Sequence, residues 1–198
     1  MGKWFSRLYD PFMAPLEKKS FKGIRQDLIS KARGNVLEVG SGTGINFPYY
    51  VNAEQVTAVE PNPDMLKKSL RRLKNRDQPI HTHVGEAEDL PFPDNTFDTV
   101  IGTLVFCTIP EPDKAFAEIR RALKPDGKLL LFEHVRLEQK TLGKLQDILT
   151  PLWKHVCDGC CLNRNTLNMA KKADFHVENV QSMYKGLFLT IELTHPNT

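Results

Sequence analysis

Residues 36–63, VLEVGSGTGINFPYYVNAEQVTAVEPNP, contain two apolar runs that each end in an acidic residue. The first run ends at Glu38 and leads into a glycine-rich turn, and the second ends at Glu60. Glycine has no Cβ, so the backbone N–H groups of such a turn can approach a ligand closely. The stretch therefore predicts two strands with a ligand-binding turn between them.

The spacing of the glycines separates this turn from a dinucleotide-binding one. The turn has the pattern G-x-G-x-G instead of G-x-G-x-x-G. Its residues are Gly40, Ser41, Gly42, Thr43 and Gly44. Glu38, just before the turn, would repel a pyrophosphate but suits an ammonium group. Glu60 can accept hydrogen bonds from ribose hydroxyls. Together the two acids predict a nucleoside with a cationic amino-acid end, which describes S-adenosylmethionine.

The composition narrows the class of protein. The chain has 198 residues, 40% hydrophobic and 26% charged, as expected for an ordinary soluble protein with one core. Uncharged apolar stretches such as residues 99–110 are far too short to span a membrane. A net charge of +3 with dispersed basic residues argues against nucleic acid as a partner. The first residues contain no secretory signal, so we expect a cytoplasmic location.

The four cysteines predict reduced thiols and no disulfide framework. Cys157, Cys160 and Cys161 lie within five residues, and Cys107 falls in a predicted buried strand. Cys157 and Cys160 have the spacing of zinc ligands, and His155 is near them. A structural zinc site usually shows a second paired element, which this sequence does not contain. We therefore predict no metal.

The order of predicted elements indicates an α/β fold. Short apolar runs predict strands at residues 35–38, 55–60, 80–84, 99–106 and 127–133. Helical patterns cover residues 63–75, 113–123 and 141–172, the last interrupted at Pro151 and at CDGCCLNRN. Two closing strands are predicted near residues 175–183 and 187–194. Such alternation predicts a parallel sheet covered by helices.

A third strand end opens the segment VGEAEDLPFPDNTFD, residues 84–98. Glu86 can accept a hydrogen bond from the exocyclic amine of adenine, and the N–H of Ala87 can donate to the ring. This two-point contact distinguishes adenine from other bases. We expect Glu88 and Asp89 to lie in a charged surface loop.

These motifs resemble those of the class I S-adenosylmethionine-dependent methyltransferases, over residues 34–133. The resemblance implies a Rossmann-like, mostly parallel seven-stranded sheet with the last strand antiparallel and helices on both faces. It implies S-adenosylmethionine as cofactor, S-adenosylhomocysteine as product, and Thr103 and Leu104 near the methionine portion. The residues expected around the cofactor are Glu38, Gly40, Ser41, Gly42, Gly44, Glu60, Pro61, Glu86, Ala87, Thr103 and Leu104.

We expect one methyltransferase domain, monomeric or weakly dimeric, over residues 1–198. Within it, residues 1–33 form a lid, 34–134 the cofactor-binding core, 135–172 a helical substrate cap and 173–198 the closing strands. The lead segment is rich in apolar residues and could instead touch a lipid surface as a peripheral membrane contact. Its apolar residues are Trp4, Phe5, Leu8, Tyr9, Phe12 and Met13.

Residues 132–166, with FEHV and DILTPLWKHVCDGCCLNRNT, resemble the thiol S-methyltransferase group of methyltransferase-like proteins. The segment departs from that group at Cys157 and Cys161, and the hydrophobic anchoring segment with which those relatives usually begin is not seen in this sequence. The resemblance implies a small, apolar thiol as methyl acceptor. Methylation of a phospholipid amine or a quinone precursor stays open, as does cofactor binding without catalysis.

Methyl transfer to a thiol requires an aligned and deprotonated sulfur. His134 follows the fifth strand at the edge where ligand sites open, and it is our candidate catalytic base, unless neighbouring backbone binds its ring. Asp158 could orient the substrate or His155, although Asp-Gly is equally typical of a turn. Cys160 could line the substrate pocket or be a buried, inert thiol.

Overall fold

The computed structural model describes residues 10–11, 13–73 and 79–195. Of the apolar residues in the lead segment, Met13 is described and is buried. The prediction of a lid or a lipid contact rests on five further apolar residues that lie outside the described ones: Trp4, Phe5, Leu8, Tyr9 and Phe12.

A seven-stranded sheet forms the centre of the molecule, with strand order β3-β2-β1-β4-β5-β7-β6. The strands are β1 Gly34–Val39, β2 Ala53–Glu60, β3 Ile80–Val84, β4 Phe97–Thr103, β5 Leu123–His134, β6 His176–Met183 and β7 Phe188–Thr194. Strands β1 to β5 pair in parallel, and β7 is antiparallel to both β5 and β6. The predicted topology is confirmed, because the reversed strand is the last along the chain.

Helices cover both faces of the sheet, as the sequence predicted. They are α1 Lys22–Ile29, α2 Pro63–Ser69, α3 Pro112–Ala122, α4 Lys140–Val156 and α5 Thr166–Lys172. Successive strand residues point to opposite faces, so Leu129 and Leu131 of β5 join one hydrophobic cluster and Leu130 and Phe132 join the other. The first cluster includes α3, and the second includes α1. Burial on both faces explains why the central strands are continuous apolar runs.

Two predicted element boundaries are wrong. The helix expected to break at Pro151 continues as α4 through Val156. Pro151 has no N–H to donate to the carbonyl of Asp147, one turn earlier in the helix. Asp147 is partly exposed, so water can bind that carbonyl and the helix continues. Cys107 was expected in a strand, but β4 ends at Thr103 and Cys107 is buried in the turn that follows. The strand stops because Leu104 has φ +52°. The N–H groups of the next two residues, Val105 and Phe106, then bind the side chain of Glu133 instead of the backbone of β5.

Among the described residues, no helix combines the length and apolar character that crossing a bilayer requires.

Candidate active site

The carboxyl ends of β1 and β4 meet at the centre of the sheet, where the strand order changes direction. Open α/β sheets bind ligands in the crevice at such a switch point. The turn after β1 and the turn after β4 touch here, since a Cβ added to Gly40 would lie 2.1 Å from Cγ2 of Val105. Gly40 also has φ +64°, a conformation that favours glycine. The glycine turn is therefore fitted closely against the loop that continues from β4.

Glu38 ends in this crevice with one acceptor atom unused. Its side chain is 1% exposed, and its Oε1 accepts a hydrogen bond from Nδ2 of Asn46 at 2.8 Å. Burial raises the pKa of Glu38 to about 7, against the opposing effects of Tyr50 and Asn46 beside the carboxyl group. Oε2 makes no hydrogen bond of good geometry among the described residues, but the buried hydroxyl of Tyr50 lies close enough to act on it as a donor. A buried carboxyl group with acceptor capacity to spare, at this strand end, fits the ammonium group of an amino-acid ligand.

Arg25 is a buried arginine to which the sequence analysis gave no role. It links β4 to Asn46, the residue that donates to Glu38. Arg25 of α1 is 1% exposed and donates to Oδ1 of Asn46 at 2.9 Å and to Oγ1 of Thr103 at 2.7 Å. Asn46 also donates to Thr103, at 2.8 Å. The signal was present in the helix pattern: Arg25 lies four residues after Phe21 and three before Leu28, on the buried face of the helix.

Glu60, at the end of β2, is held by the backbone. Its Oε2 accepts from the N–H of Gly42 at 2.9 Å, and its Oε1 accepts from the N–H of Asn62 at 2.9 Å. Burial raises the pKa of Glu60, while these two backbone bonds lower it. Each carboxylate oxygen keeps a further lone pair that can accept from a ribose hydroxyl. The glycine turn and the second acid are thus one hydrogen-bonded unit, with Pro61 directly after it.

The predicted adenine-binding residues follow β3. The N–H of Gly85 binds the carbonyl of Glu60 at 3.4 Å, so Glu86 and Ala87 lie beside the second strand end. Glu86 is exposed and Ala87 is buried. The expectation that Glu88 lies on the surface is wrong: it is 8% exposed and accepts from the N–H of Glu111, the residue before α3. A carboxylate is favourable there because it meets an N–H group that the helix leaves unpaired.

Three side chains from distant parts of the sequence form a thiol–imidazole cluster: Cys107, His134 and Cys160. Their Sγ and Nε2 atoms all lie within 4.8 Å of one another. Nε2 of His134 is 3.3 Å from Sγ of Cys160. The N–H of Cys161 binds the carbonyl of Cys107 at 2.8 Å and joins the two cysteine loops. The sequence had grouped Cys160 with Cys157 and His155, but the structure brings it to Cys107 and His134 instead.

Charge in the thiol–imidazole cluster is concentrated on Cys160. Hydrogen bonds with Cys107 and His134 lower the pKa of Cys160 to about 5, against the opposing effect of burial. The same bond with Cys160, together with burial, raises the pKa of Cys107 well above its ordinary value. Burial lowers the pKa of His134, but the hydrogen bond and charge of Cys160 raise it overall. These shifts favour a negative charge on Cys160 and a bound proton on Cys107 and His134.

Glu133 holds the turn that carries Cys107, and sequence reasoning did not assign it a role. It is fully buried, and its Oε1 accepts from the N–H groups of Val105 at 2.9 Å and Phe106 at 3.1 Å. Burial raises its pKa to about 7. An acid at the end of the apolar run LLLF was the available signal. Glu133 fixes the loop after β4 and so positions Cys107 next to His134.

Asp158 lies in the loop that follows α4, with φ +50°. Its carboxyl group is near enough to Glu60 for its charge to raise the pKa of that acid. Gly159 follows, and a Cβ added there would lie 3.6 Å from the carbonyl of Thr108, in the turn after β4. This loop thus lies between Glu60 and the turn that carries Cys107. His155, one of the two groups that Asp158 could orient, lies on the exposed side of α4.

Comparison with known proteins gives a consistent result. Residues 37–131 match the family model described as a methyltransferase domain. The thiol S-methyltransferase TMT1B of Rattus norvegicus is 35% identical over 193 residues, which cover 88% of this chain and 79% of the relative. The thiol S-methyltransferase TMT1A of Homo sapiens is 30% identical over 197 residues, 98% of this chain and 80% of the relative. The phosphatidylethanolamine N-methyltransferase of Cereibacter sphaeroides is 30% identical over 118 residues, 59% of this chain and 58% of that one.

Solved structures share the fold at low sequence identity. One is a complex between the Haloferax volcanii Trm112 methyltransferase activator and a methyltransferase, with a TM-score of 0.78, 16% identity and 100% of both chains covered. Another is the [4+2]-cyclase SpnF, with a TM-score of 0.72 and 18% identity, covering 89% of this chain and 80% of that one. A cyclase on the same fold means that the reaction must be argued from the site.

Proposed function

The chain belongs to the class I S-adenosylmethionine-dependent methyltransferases, and from that premise we propose that it methylates the sulfur of a small, apolar thiol. The observation that carries the proposal is the thiol–imidazole cluster after the ends of β4 and β5. Its two sulfur atoms and its imidazole nitrogen are the kind of groups that an acceptor sulfur would lie against. The similarity to two thiol S-methyltransferases over 88% and 98% of the chain supports it.

The cofactor would lie across the ends of β1, β2, β3 and β4. We assign Oε2 of Glu38 to the ammonium group, because that buried oxygen makes no hydrogen bond of good geometry among the described residues and has only the Tyr50 hydroxyl near it as a donor. We assign Glu60, already aligned by two backbone bonds, to the ribose hydroxyls, and Glu86 and Ala87 to the adenine. Backbone groups of the glycine turn, residues 40–44, would follow the amino-acid portion. Thr103 and Leu104 would border the methionine chain, on the strand end whose following turn carries Cys107.

When bound, the cofactor supplies an electrophilic methyl group. The protein must then bring an acceptor sulfur into line with it and keep that sulfur deprotonated. His134 lies at the end of β5 with its ring nitrogen 3.3 Å from Sγ of Cys160. We assign the His134 ring to stabilising the acceptor thiolate and Cys160 to orienting that ring. Asp158 is a positioning residue in this proposal, because its loop closes the crevice beside Glu60.

An apolar acceptor fits the surface next to the site. Helix α4 exposes Leu145, Ile148 and Leu152, with exposed fractions of 49%, 74% and 68%. Trp153 on the same helix lies beside the thiol of Cys160 and helps to lower its pKa. An apolar helix that leads to the thiol–imidazole cluster favours acceptors that partition out of water, and it would also suit peripheral contact with a membrane surface.

Methylation of a lipid amine is the competing function. It is supported by the likeness to a phosphatidylethanolamine N-methyltransferase, which extends over 59% of the chain. The thiol relatives match over a larger share, and a soft sulfur environment offers little to an ammonium group that must lose its proton. We therefore favour the thiol, and we propose no nucleic-acid substrate.

The test is a methyl-transfer assay with isotope-labelled S-adenosylmethionine and a panel of alkyl thiols, aryl thiols, phosphatidylethanolamine vesicles and phenols. Products are identified by mass. The proposal predicts labelled thioethers whose yield rises with the length of the alkyl chain. Label found only in lipid amine or phenol ether would overturn the thiol assignment. Heat-denatured protein serves as the control for methyl transfer that needs no enzyme.

A further inference from the structure

We infer that the thiol–imidazole cluster is a binding site for a soft divalent metal ion, best suited to Zn²⁺, with Cys107, His134 and Cys160 as its protein ligands. Two sulfur atoms and one imidazole nitrogen lie within 4.8 Å of one another. Tetrahedral zinc bonds of roughly 2.0–2.3 Å place neighbouring ligand atoms roughly 3.5–3.8 Å apart. The 3.3 Å between Nε2 of His134 and Sγ of Cys160 is close to that spacing.

The three donors come from rigid parts of the fold. His134 ends β5 in the middle of the sheet. Cys107 is carried by the turn that the buried Glu133 holds through two backbone N–H groups. The loop of Cys160 is tied to that turn by the 2.8 Å bond from the N–H of Cys161 to the carbonyl of Cys107. Ligands held by such outer contacts are already arranged before the ion arrives, and this lowers the cost of binding it.

Three protein ligands leave one position of a tetrahedral ion open. Closed structural zinc sites have four protein ligands, whereas sites with three keep the fourth position for water or substrate. Cys107 is buried and forms the floor, while His134 and Cys160 are half-buried. The cluster would therefore present the open position toward the crevice.

If the proposed function holds, that open position would take the acceptor thiol. The thiol would bind as a thiolate and release its proton to solvent. Its sulfur would form the new C–S bond with the methyl carbon, and the electron pair of the broken C–S bond would remain on the cofactor sulfur, which becomes neutral. The product thioether is also neutral, so it would bind the metal weakly and leave. Binding of the acceptor thiol at the open position rests on the proposed function, while the metal site itself does not.

The experiment is a Co²⁺ titration of the full-length protein after reduction and removal of metal with a chelator. Cobalt bound by thiolates in a tetrahedral site has a sulfur-to-cobalt charge-transfer absorption and intense visible bands. We expect one equivalent of Co²⁺ to produce both, and Zn²⁺ to abolish them. Cys160→Ser should lose the visible bands and bind metal more than about 100-fold more weakly, because losing even an outer-sphere partner costs 10–100-fold. Cys157→Ser, three residues away, is the matched control and should behave as the wild type.

Wild-type protein without the charge-transfer band, or Cys160→Ser with an unchanged band, would overturn the site. Cys107 is buried, so the Cys107→Ser variant is compared only if its circular dichroism and melting temperature equal those of the wild type. If it fails to fold, the Cys160→Ser and His134→Gln variants still test the site, because each removes one half-buried ligand and should lose the visible bands. Thioether formation by protein verified to be free of metal would refute the metal's role and leave the proposed function standing. One equivalent of bound metal without thiol methylation would leave the site standing and contradict the proposed function.

Discussion

Replacing Glu38 with glutamine removes a buried carboxyl group whose charge is costly until a cation arrives. Burial raises the pKa of Glu38 from 4.5 to about 7. The folded protein therefore binds more protons at this site than the unfolded chain does between those two pH values. The contribution to stability is fully present below pH 4.5 and is lost as the pH rises through 7. At 1.36 kcal/mol per pKa unit, the loss is about 3 kcal/mol.

Urea unfolding of the cofactor-free wild type and of Glu38→Gln at pH 5, 6, 7 and 8 tests this. The wild type should lose about 2–3 kcal/mol more of its free energy of unfolding than the variant does over that range. The difference between the two proteins isolates Glu38 from Glu133, whose pKa is also raised to about 7. Parallel pH dependences in the two proteins would refute the reasoning.

The same carboxyl group should make cofactor affinity depend on pH. Only its ionised form attracts the ammonium group, so wild-type affinity for S-adenosylmethionine should be about tenfold weaker at pH 6 than at pH 8, given a pKa of about 7. Glu38→Gln should bind weakly at both values. Calorimetric titration measures both, and equal wild-type affinities at pH 6 and pH 8 would contradict the assignment of Glu38 to the ammonium group.

Three further substitutions test the site. Glu60→Ala removes the proposed ribose acceptor and the acceptor of two backbone N–H groups, so S-adenosylmethionine should bind at least about tenfold more weakly by calorimetry. Unchanged affinity would exclude Glu60 from the cofactor site. Arg25→Met leaves Oδ1 of Asn46 without its donor and Glu17 without its ion-pair partner, so the free energy of unfolding in urea should fall by about 3 kcal/mol; a loss below about 1 kcal/mol would mean that the network is dispensable. His134→Ala should lower kcat for a thiol far more than it weakens cofactor binding, and a fully active variant would remove His134 from the mechanism.

The strands and the positions of Glu38 and Glu60 at two strand ends were predictable because both follow from local patterns. β1, β2 and β4 are buried on both faces and so appear as short apolar runs, and Glu38 and Glu60 are conspicuous as acids that end two of these runs. The end of β4 was misjudged because the apolar run continues into the turn. The stop depends on Glu133, about thirty residues later, which takes the N–H groups of that turn.

The thiol–imidazole cluster was not predictable in the same way. Its members lie at positions 107, 134 and 160, and no spacing along the chain relates them; the sheet order and the bond from Cys161 to Cys107 bring them together. The local spacing of Cys157 and Cys160 pointed to a different partner set. Arg25 is an intermediate case, because its place on the apolar face of α1 was visible but its partners Asn46 and Thr103 were not.

We propose sulfur as the acceptor atom. Three acceptors with one carbon skeleton, hexanethiol, hexanol and hexylamine, differ only in that atom, so initial rates with labelled S-adenosylmethionine distinguish them. We expect methyl hexyl sulfide as the product, with a kcat/KM at least about 100-fold above the values for the alcohol and the amine. N-methylhexylamine or methyl hexyl ether formed at an equal or greater rate would rule out the thiol assignment.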